Sequence, residues 1–303
     1  MNSNFRCITG LLAIALCITV CQTKAKGVDL YVGSAGNSIY KIDSGGVVSP
    51  FVTGLGFPSV IASDRLSTLY STDYKPNGES YLFKYDKNGD PTLITTGLNG
   101  PYTQAMAIDF IGNVYLSNNG DNSIRKVDVT GKQTYFATTV TNPKGLAFDE
   151  FGYLYAINSS DWITKFDSAG NIAIGYKLGY LLDLRGITFD SLGNLFATSF
   201  QNKSVIKMDR LGNVSTYKTG LDSPAGLVFD DIGNLYVANT DNGTISKINP
   251  NGLVSTFATG FDHPYSLAIP VPEPSTYALT AVATVIMAYL AKYRKFLCNQ
   301  KMQ

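Results

Sequence analysis

The sequence predicts an all-β fold over residues 27–270, a six-bladed β-propeller with four antiparallel strands per blade. Three observations predict it: a repeat, the strand content of that repeat, and a strand at the end of the domain that can close a ring. A motif of Asp-x-x-Gly before an apolar strand begins at Asp109, Asp149, Asp190 and Asp230, so the spacings are 40, 41 and 40 residues. Four short strands per repeat of about 40 residues are typical of a propeller blade.

The four strands of each unit follow in a fixed order. The first is an apolar run that ends in Asp, as in GLAFD at 145–149, and the second is of the type NLYVAN at 234–239. The third alternates between apolar and polar residues, as in SVIKMD at 204–209, which indicates a half-exposed strand. The fourth is of the type VSTYKTG at 214–220.

Turn residues separate these strands. Asp-x-x-Gly follows the first strand, as at Asp230 and Gly233, and also the third strand, as at Asp209 and Gly212. Asp at the first turn position accepts hydrogen bonds from its own backbone, and Gly at the fourth adopts the positive φ that a bulged hairpin needs. Each unit is therefore predicted to contain two such hairpins.

The order of strands at the two ends of the domain predicts ring closure. Six third strands can be counted, which gives six blades in one domain. The domain starts at a second strand and ends at a first strand, SLAI at 266–269. We expect this last strand to complete the blade that residues 27–54 begin, which removes the exposed edges of an open sheet.

The repeats resemble those of NHL-type propellers, whose units run from Pro-x-Gly through an apolar strand to Asp-x-x-Gly-Asn and a second strand. The segments NPKGLAFDEFGYLYAIN at 142–158 and SPAGLVFDDIGNLYVAN at 223–239 carry this pattern. The resemblance covers most of the chain and extends distantly to gluconolactonase-type propellers. It implies the fold but no particular function, because one fold hosts many activities.

Residues 1–26 are predicted to be a secretory signal peptide. Arg6 precedes an apolar run from Ile8 to Cys21, and polar residues follow. The alternative is a membrane-spanning anchor, for which this run is short, because a span needs about 20 apolar residues.

The C-terminal region combines a proline motif, an apolar segment and a basic cluster. The motif is Pro272-Glu273-Pro274, the apolar segment is 277–291, and the cations are Lys292, Arg294 and Lys295. This order resembles the PEP-CTERM sorting signal, predicted here over 271–295 with a transmembrane helix at 277–291 and a tail at 296–303. The resemblance implies an exosortase-type processing enzyme as partner, membrane attachment before processing, and the envelope, outer surface or matrix of a Gram-negative bacterium. The alternative is an ordinary anchor.

Charge and motif content exclude several functions. Seven of the 24 Lys and Arg residues and one of the 23 Asp and Glu residues lie outside 27–270, so the domain has a net charge of −5. We expect no nucleic-acid partner, because such binding needs a basic surface. All four cysteines lie outside the repeats, and no dinucleotide, phosphate or zinc motif occurs. No cofactor is expected.

The residues that precede the first strands are expected to meet at one mouth of the central channel. They are Ser59, Gln104, Lys144, Arg185, Ala225 and Tyr265. Gluconolactonase-type propellers hold a metal through Glu, Asn and Asp at such positions, and no position here matches. We therefore expect a non-catalytic propeller that binds a glycan or protein, with a metal-dependent lactonase or hydrolase as the alternative.

The expected ligand-binding residues are Tyr102, Gln104, Lys144, Arg185, His263 and Tyr265. Lys144 and Arg185 belong to adjacent blades and are expected to attract a carboxylate, such as that of a uronic acid. The alternative is that these two cations only offset acids such as Asp183. His263 is the only histidine. We expect it to be a loop residue that stacks beside Pro264, and the alternative is a general base.

The ends of the second strands form another polar set, for which two roles are open. The members are Ser34, Asp73, Asn118, Asn158, Ser199 and Asn239. They line a site for a ligand or Ca²⁺, or they cap turns by bonding to nearby backbone. Because the set recurs in every blade, capping is favoured.

Overall fold

The structure is a computed structural model that describes residues 29–56, 60–98, 103–179 and 182–270. These ranges form six antiparallel four-stranded sheets, which are the six predicted blades. In each sheet the first strand lies at the central channel and the fourth at the outer rim, because the first strands of neighbouring blades contact one another around the ring. The fold class predicted for this part of the chain is confirmed.

The first three blades have the following strands, from the channel outward. Blade 1 contains β24 (Pro264–Ala268), β1 (Leu30–Ser34), β2 (Ser38–Ile42) and β3 (Val48–Thr53). Blade 2 contains β4 (Ile61–Ser63), β5 (Leu69–Tyr74), β6 (Ser80–Tyr85) and β7 (Pro91–Thr96). Blade 3 contains β8 (Thr103–Ile108), β9 (Val114–Asn118), β10 (Ser123–Val127) and β11 (Gln133–Ala137).

The remaining blades repeat this arrangement. Blade 4 contains β12 (Leu146–Phe148), β13 (Leu154–Asn158), β14 (Trp162–Phe166) and β15 (Ile172–Lys177), with a short 3-10 turn at Ser159–Asp161. Blade 5 contains β16 (Leu184–Phe189), β17 (Leu195–Ser199), β18 (Ser204–Met208) and β19 (Val214–Thr219). Blade 6 contains β20 (Pro224–Phe229), β21 (Leu235–Asn239), β22 (Thr244–Ile248) and β23 (Val254–Thr259).

The ring closes through β24 and β1, as predicted. These strands pair antiparallel, with Tyr31 opposite Ala268 and Val32 opposite Leu267. At the end of the pairing, the backbone N–H of Ala35 donates to the carbonyl of Asp262 at 2.9 Å, and the Ser34 hydroxyl donates to the same oxygen. Strands from the two ends of the domain therefore share one sheet.

The hydrophobic core consists of six apolar clusters, one at each junction between neighbouring blades. At the closing junction, Leu30 and Val32 of blade 1 pack against Tyr236 and Ala238 of blade 6. All four side chains are at most 4% exposed. Because each cluster needs both blades, removal of one blade would expose apolar surface on two others.

The Asp-x-x-Gly turns occur at eleven positions, with Asn249 in place of Asp in one of them and Ser67 in place of Gly in another. In each turn the side-chain Oδ1 accepts two backbone N–H groups, as Asp230 does from Ile232 at 3.2 Å and from Asn234 at 2.7 Å. Blade 1 has no turn between its first and second strands, since these come from opposite ends of the domain. Six blades closed in this way have five turns between first and second strands and six between third and fourth strands, which gives eleven.

Three glycines allow the first strands of blades 4, 5 and 6 to lie close to their neighbours. A Cβ on Gly145 would be 2.4 Å from the carbonyl oxygen of Arg185, and one on Gly226 would be 2.6 Å from that of Tyr265. A Cβ on Gly186 would be 2.3 Å from the carbonyl oxygen of Ala225. The glycine of the Pro-x-Gly motif, at 145 and 226, and Gly186 at the equivalent position of blade 5 therefore reflect contact between the backbones of adjacent blades.

The predicted signal peptide (1–26) and C-terminal segment (271–303) lie outside the described residues. The part of the chain that the structure describes contains no helix with the length and apolar character that a membrane crossing requires.

Substitution of Gly186 by Ala is expected to lower the free energy of unfolding by about 1–3 kcal/mol, because the methyl group overlaps backbone atoms of blade 6. Gly36→Ala is the control, since a Cβ there would meet nothing closer than 3.7 Å; its effect should be neutral or stabilising by less than about 1 kcal/mol. Urea denaturation of both variants measures the difference. Equal stability would contradict the close approach of the first strands.

Candidate functional site

The central channel contains a cavity of about 310 Å³. Every blade contributes lining residues from its first strand or from the residues directly before it. Five of the expected mouth residues are in this lining: Gln104, Lys144, Arg185, Ala225 and Tyr265. The sequence-based placement of these residues around one opening is therefore correct, and Ser59 and Tyr102 lie outside the described residues. We call the end of the channel at these five residues the mouth.

Two cations of the mouth share one carboxylate. Lys144 Nζ lies 2.5 Å from Asp183 Oδ1, and Arg185 Nη2 lies 3.2 Å from Asp183 Oδ2. The pairing of both cations with Asp183 is the arrangement that the alternative interpretation anticipated. The three side chains together carry a charge of +1 and remain partly exposed.

The loop that carries Asp183 is held by a second acid, Asp161. Its carboxylate oxygens accept the backbone N–H groups of Leu182 at 2.9 Å and Leu184 at 3.2 Å, on either side of Asp183. Asp161 is 6% exposed and belongs to the neighbouring blade. It therefore positions Asp183 without taking part in the ion pairs.

The guanidinium group of Arg185 lies over the ring of Phe200, with Cζ 3.4 Å from the ring centroid. The backbone N–H of Phe200 donates to the carbonyl of Asp183 at 3.1 Å, which ties the aromatic residue to the same loop. Stacking on an aromatic face restricts the guanidinium plane and leaves its edge available to a planar anion. Arg185 is thus oriented by an ion pair and by a ring.

The charges around Asp183 change its acidity. Burial acts to raise the pKa of this carboxyl, but the hydrogen bond from Lys144 and the charges of Lys144 and Arg185 outweigh burial and lower the pKa below its ordinary value. Asp183 consequently stays ionised under mildly acidic conditions.

His263 does not belong to the channel lining. It precedes β24, its side chain is 57% exposed, and its Nδ1 lies 2.7 Å from Asp262 Oδ1. The structure therefore separates the histidine from the other expected ligand-binding residues, although His263 lies in the loop that leads into β24 at the mouth end.

The polar ends of the second strands bond to neighbouring loops. Asn118 Nδ2 donates to the carbonyl of Leu98 at 3.1 Å, and the Ser199 hydroxyl donates to the carbonyl of Leu182 at 2.6 Å. Asp73 Oδ1 accepts the N–H of Gly56 at 2.7 Å. These contacts agree with the capping interpretation. In the described ranges, no three His, Cys, Asp or Glu side chains form a group that could hold a metal ion.

Two residues of the site, Asp161 and Phe200, were not identified from the sequence. Phe200 follows Ser199, and the equivalent strands of the other blades are followed by Ala35, Tyr74, Asn119, Ser159 and Thr240. An aromatic residue therefore also occurs at this position in blade 2, so Phe200 alone did not mark the site in the sequence. Asp161 gave no signal either, because Asp is common in loops.

The fold and site define a six-bladed β-propeller with a Lys–Asp–Arg cluster at its channel mouth. Comparison with protein-family models and with curated proteins gave no match. Among solved structures, the chain is similar to virginiamycin B lyase from Staphylococcus aureus, with 20% identity over 69% of this chain and 73% of that one and a TM-score of 0.56.

Two other solved structures are similar over a larger part of the chain. One is from a nidogen/laminin complex, with 18% identity over 80% of this chain and 98% of that one and a TM-score of 0.66. The other is a protein of unknown function from Bacteroides caccae, with 14% identity over 81% of this chain and 100% of that one and a TM-score of 0.62. At these identities the similarity shows the fold alone.

The lowered pKa of Asp183 predicts an acid-sensitive contribution to stability. Because the pKa is lower in the folded state, the ion pairs stabilise the fold above a pH of about 4 and lose this effect as the pH falls through the folded-state pKa. An NMR titration should show that Lys144→Ala raises the pKa of Asp183. Lys41→Ala, which removes a partner of Asp29 in blade 1, is the control and should leave it unchanged. An unshifted Asp183 in Lys144→Ala would refute the coupling.

Proposed function

We propose that this protein is an exported, non-catalytic β-propeller that binds a carboxylate-bearing glycan or protein ligand at the channel mouth. The observation that carries the proposal is Arg185, which is stacked on Phe200 and lies beside Lys144 at an open cavity. A guanidinium held in one plane suits bidentate recognition of a carboxylate.

The donors needed for such a ligand are present. Asp183 contacts Nη2 of Arg185 and Nζ of Lys144, each through one carboxylate oxygen. A guanidinium carries five N–H donors and an ammonium three, so both cations have further donors for a ligand. A ligand carboxylate therefore meets a cluster of net charge +1 without having to displace Asp183. Since the domain has a net charge of −5, this cluster also favours approach at the mouth over approach at the rest of the surface.

The other mouth residues suit a sugar ring. Tyr265 and Gln104 line the same cavity, and the Gln104 side chain is exposed. An aromatic side chain packs on the apolar face of a sugar, while an amide can both donate and accept hydrogen bonds with its hydroxyl groups. An acidic saccharide such as a uronic acid combines these two features with the carboxylate.

The proposal includes the route of export. Residues 1–26 direct secretion, and the PEP-CTERM-like segment 271–295 holds the chain at the membrane through 277–291 until an exosortase-type enzyme processes it. The mature protein then belongs to the envelope, outer surface or extracellular matrix of a Gram-negative bacterium. The order Pro272-Glu273-Pro274, apolar segment, basic cluster supports this route.

We expect calorimetry with an oligomer of a uronic acid to show binding to the wild type and at least about tenfold weaker binding to Arg185→Ala and to Lys144→Ala, since each loses a charged hydrogen bond of roughly 1.5–3 kcal/mol. Lys203→Ala is the matched control, because this lysine also pairs with one acid, Asp222, but does not line the cavity.

Equal binding by all four proteins would exclude the mouth as the site.

The second candidate is an enzyme that acts at the mouth end of the propeller, and the contact between His263 and Asp262, outside the channel lining, is the observation that favours it. One similar structure is a lyase, and another comes from a protein complex, so both classes occur on this fold. If the wild type converts the saccharide or a lactone to product and His263→Ala does not, the function is catalysis and not binding alone.

The sorting proposal predicts that residues 277–295 are absent from the mature protein. Mass spectrometry of the envelope and secreted fractions of the producing cell should find peptides up to the Pro272–Pro274 region and none beyond it. Replacement of Pro272, Glu273 and Pro274 by alanine should retain the C-terminus. An intact wild-type chain that reaches Gln303 would show that the segment is an ordinary anchor.

A further inference from the structure

The end of the propeller opposite the mouth carries exposed apolar side chains at the tips of its inner turns. We call this end the turn face, because the Asp-x-x-Gly turns form it. The third residue of each inner turn, between a first and a second strand, is large and apolar, and we call these five residues the apolar ring. They are Leu66, Ile111, Phe151, Leu192 and Ile232, with exposed fractions of 60–75%.

The turn itself does not require apolar residues at these positions. Asp at the first position accepts the backbone hydrogen bonds, and a positive φ is needed only at the fourth. Five further exposed apolar residues lie in or directly after inner or outer turns of the same face, which are Val47, Phe110, Val129, Leu211 and Leu253. The described loops at the mouth end contain none of the large apolar residues that are this exposed. Among the described loops, the most exposed large apolar residues therefore lie at one face, while Tyr135, Ile172 and Leu93 are exposed along outer strands.

The chain leaves the propeller at the centre of this face. β24 is the channel-lining strand of blade 1 and runs from the mouth toward the turn face. After it, the carbonyl of Ile269 accepts a hydrogen bond from the Ser63 hydroxyl at 2.9 Å, next to the inner turn of blade 2. Blade 1 has no inner turn, so the exit of the chain occupies the place of a sixth apolar tip.

We propose that the turn face rests on the lipid surface of the membrane, with the apolar ring inserted at the level of the headgroups, while the C-terminal segment is still attached. The inference rests on the proposed function, which places residues 277–291 in the membrane. Six residues, 271–276, connect Pro270 to that segment and can span at most about 20 Å. A tether this short keeps the turn face within reach of the interface, where apolar and aromatic side chains insert by roughly 5–10 Å.

The charges at the turn tips are compatible with contact to neutral lipid. The exposed second residues of these turns include three cations, Arg65, Lys87 and Arg210, and two acids, Glu150 and Asp231. Arg210 also forms an ion pair with Glu150. The first positions of the turns add ten Asp carboxylates, whose Oδ1 atoms accept backbone N–H groups, so the turn face has an acidic excess. Insertion therefore depends on the apolar tips and not on attraction to anionic headgroups.

The only tryptophan allows a direct test on the full chain. Trp162 begins β14 at the mouth end of blade 4 and is 42% exposed, so the wild type reports on the face away from the membrane. Trp162→Phe combined with Leu192→Trp moves the reporter to the apolar ring. Both proteins are reconstituted in phosphatidylcholine vesicles that are brominated near the headgroup end of the acyl chains, and vesicle flotation is measured in parallel.

We expect both proteins to float with the vesicles and bromine to quench about half of the emission at position 192, given an insertion depth of roughly 5–10 Å, with little quenching at Trp162. Flotation without quenching at position 192 would overturn this inference and leave the anchor intact. Absence of flotation would overturn the anchor and the inference together. Equal quenching at both positions would refute the orientation. If the emission at position 192 is already blue-shifted without lipid and does not respond to bromine, another part of the protein covers the apolar ring, and the inference is overturned.

Discussion

The pairing of β24 with β1 is the constraint on which the rest of the structure depends. It joins the two ends of the domain in one sheet and thereby brings blade 6 against blade 1, where Leu30 and Tyr236 pack together. Without it, two blades would expose apolar faces and two strands would expose unpaired edges. The same pairing fixes the channel, since all six lining strands take their places only in a closed ring.

The structure uses repetition for folding and departures from repetition for its candidate site. The turn aspartates recur in every blade, and their carboxylates are engaged by the backbone. Lys144, Arg185 and Phe200 each occur in a single blade, and they meet at the mouth with Asp183. A symmetric ring offers six equivalent positions, so a ligand can be recognised only where neighbouring blades differ.

The two ends of the channel differ in chemistry. The mouth is polar and contains the Lys144–Asp183–Arg185 cluster, whereas the turn face bears apolar tips such as Leu192 and Phe151. The first strand of every blade runs from the mouth to the turn face, so β24 delivers the C-terminus to the apolar end. A membrane-attached chain would in this way present its mouth to the surroundings, which connects the proposed binding site with the proposed route of export.

The sequence by itself determined the features that depend on near neighbours in the chain. The turn at Asp230 requires contacts only two and four residues away, and the 40-residue period shows how often such units recur. The sequence also located the mouth residues, since equivalent positions of a ring must meet. Only the tertiary structure decided that Asp183 joins Lys144 and Arg185, that Asp161 holds its loop, and that His263 lies apart. These contacts depend on side-chain conformation and on the spacing of blades, which strand periodicity does not encode.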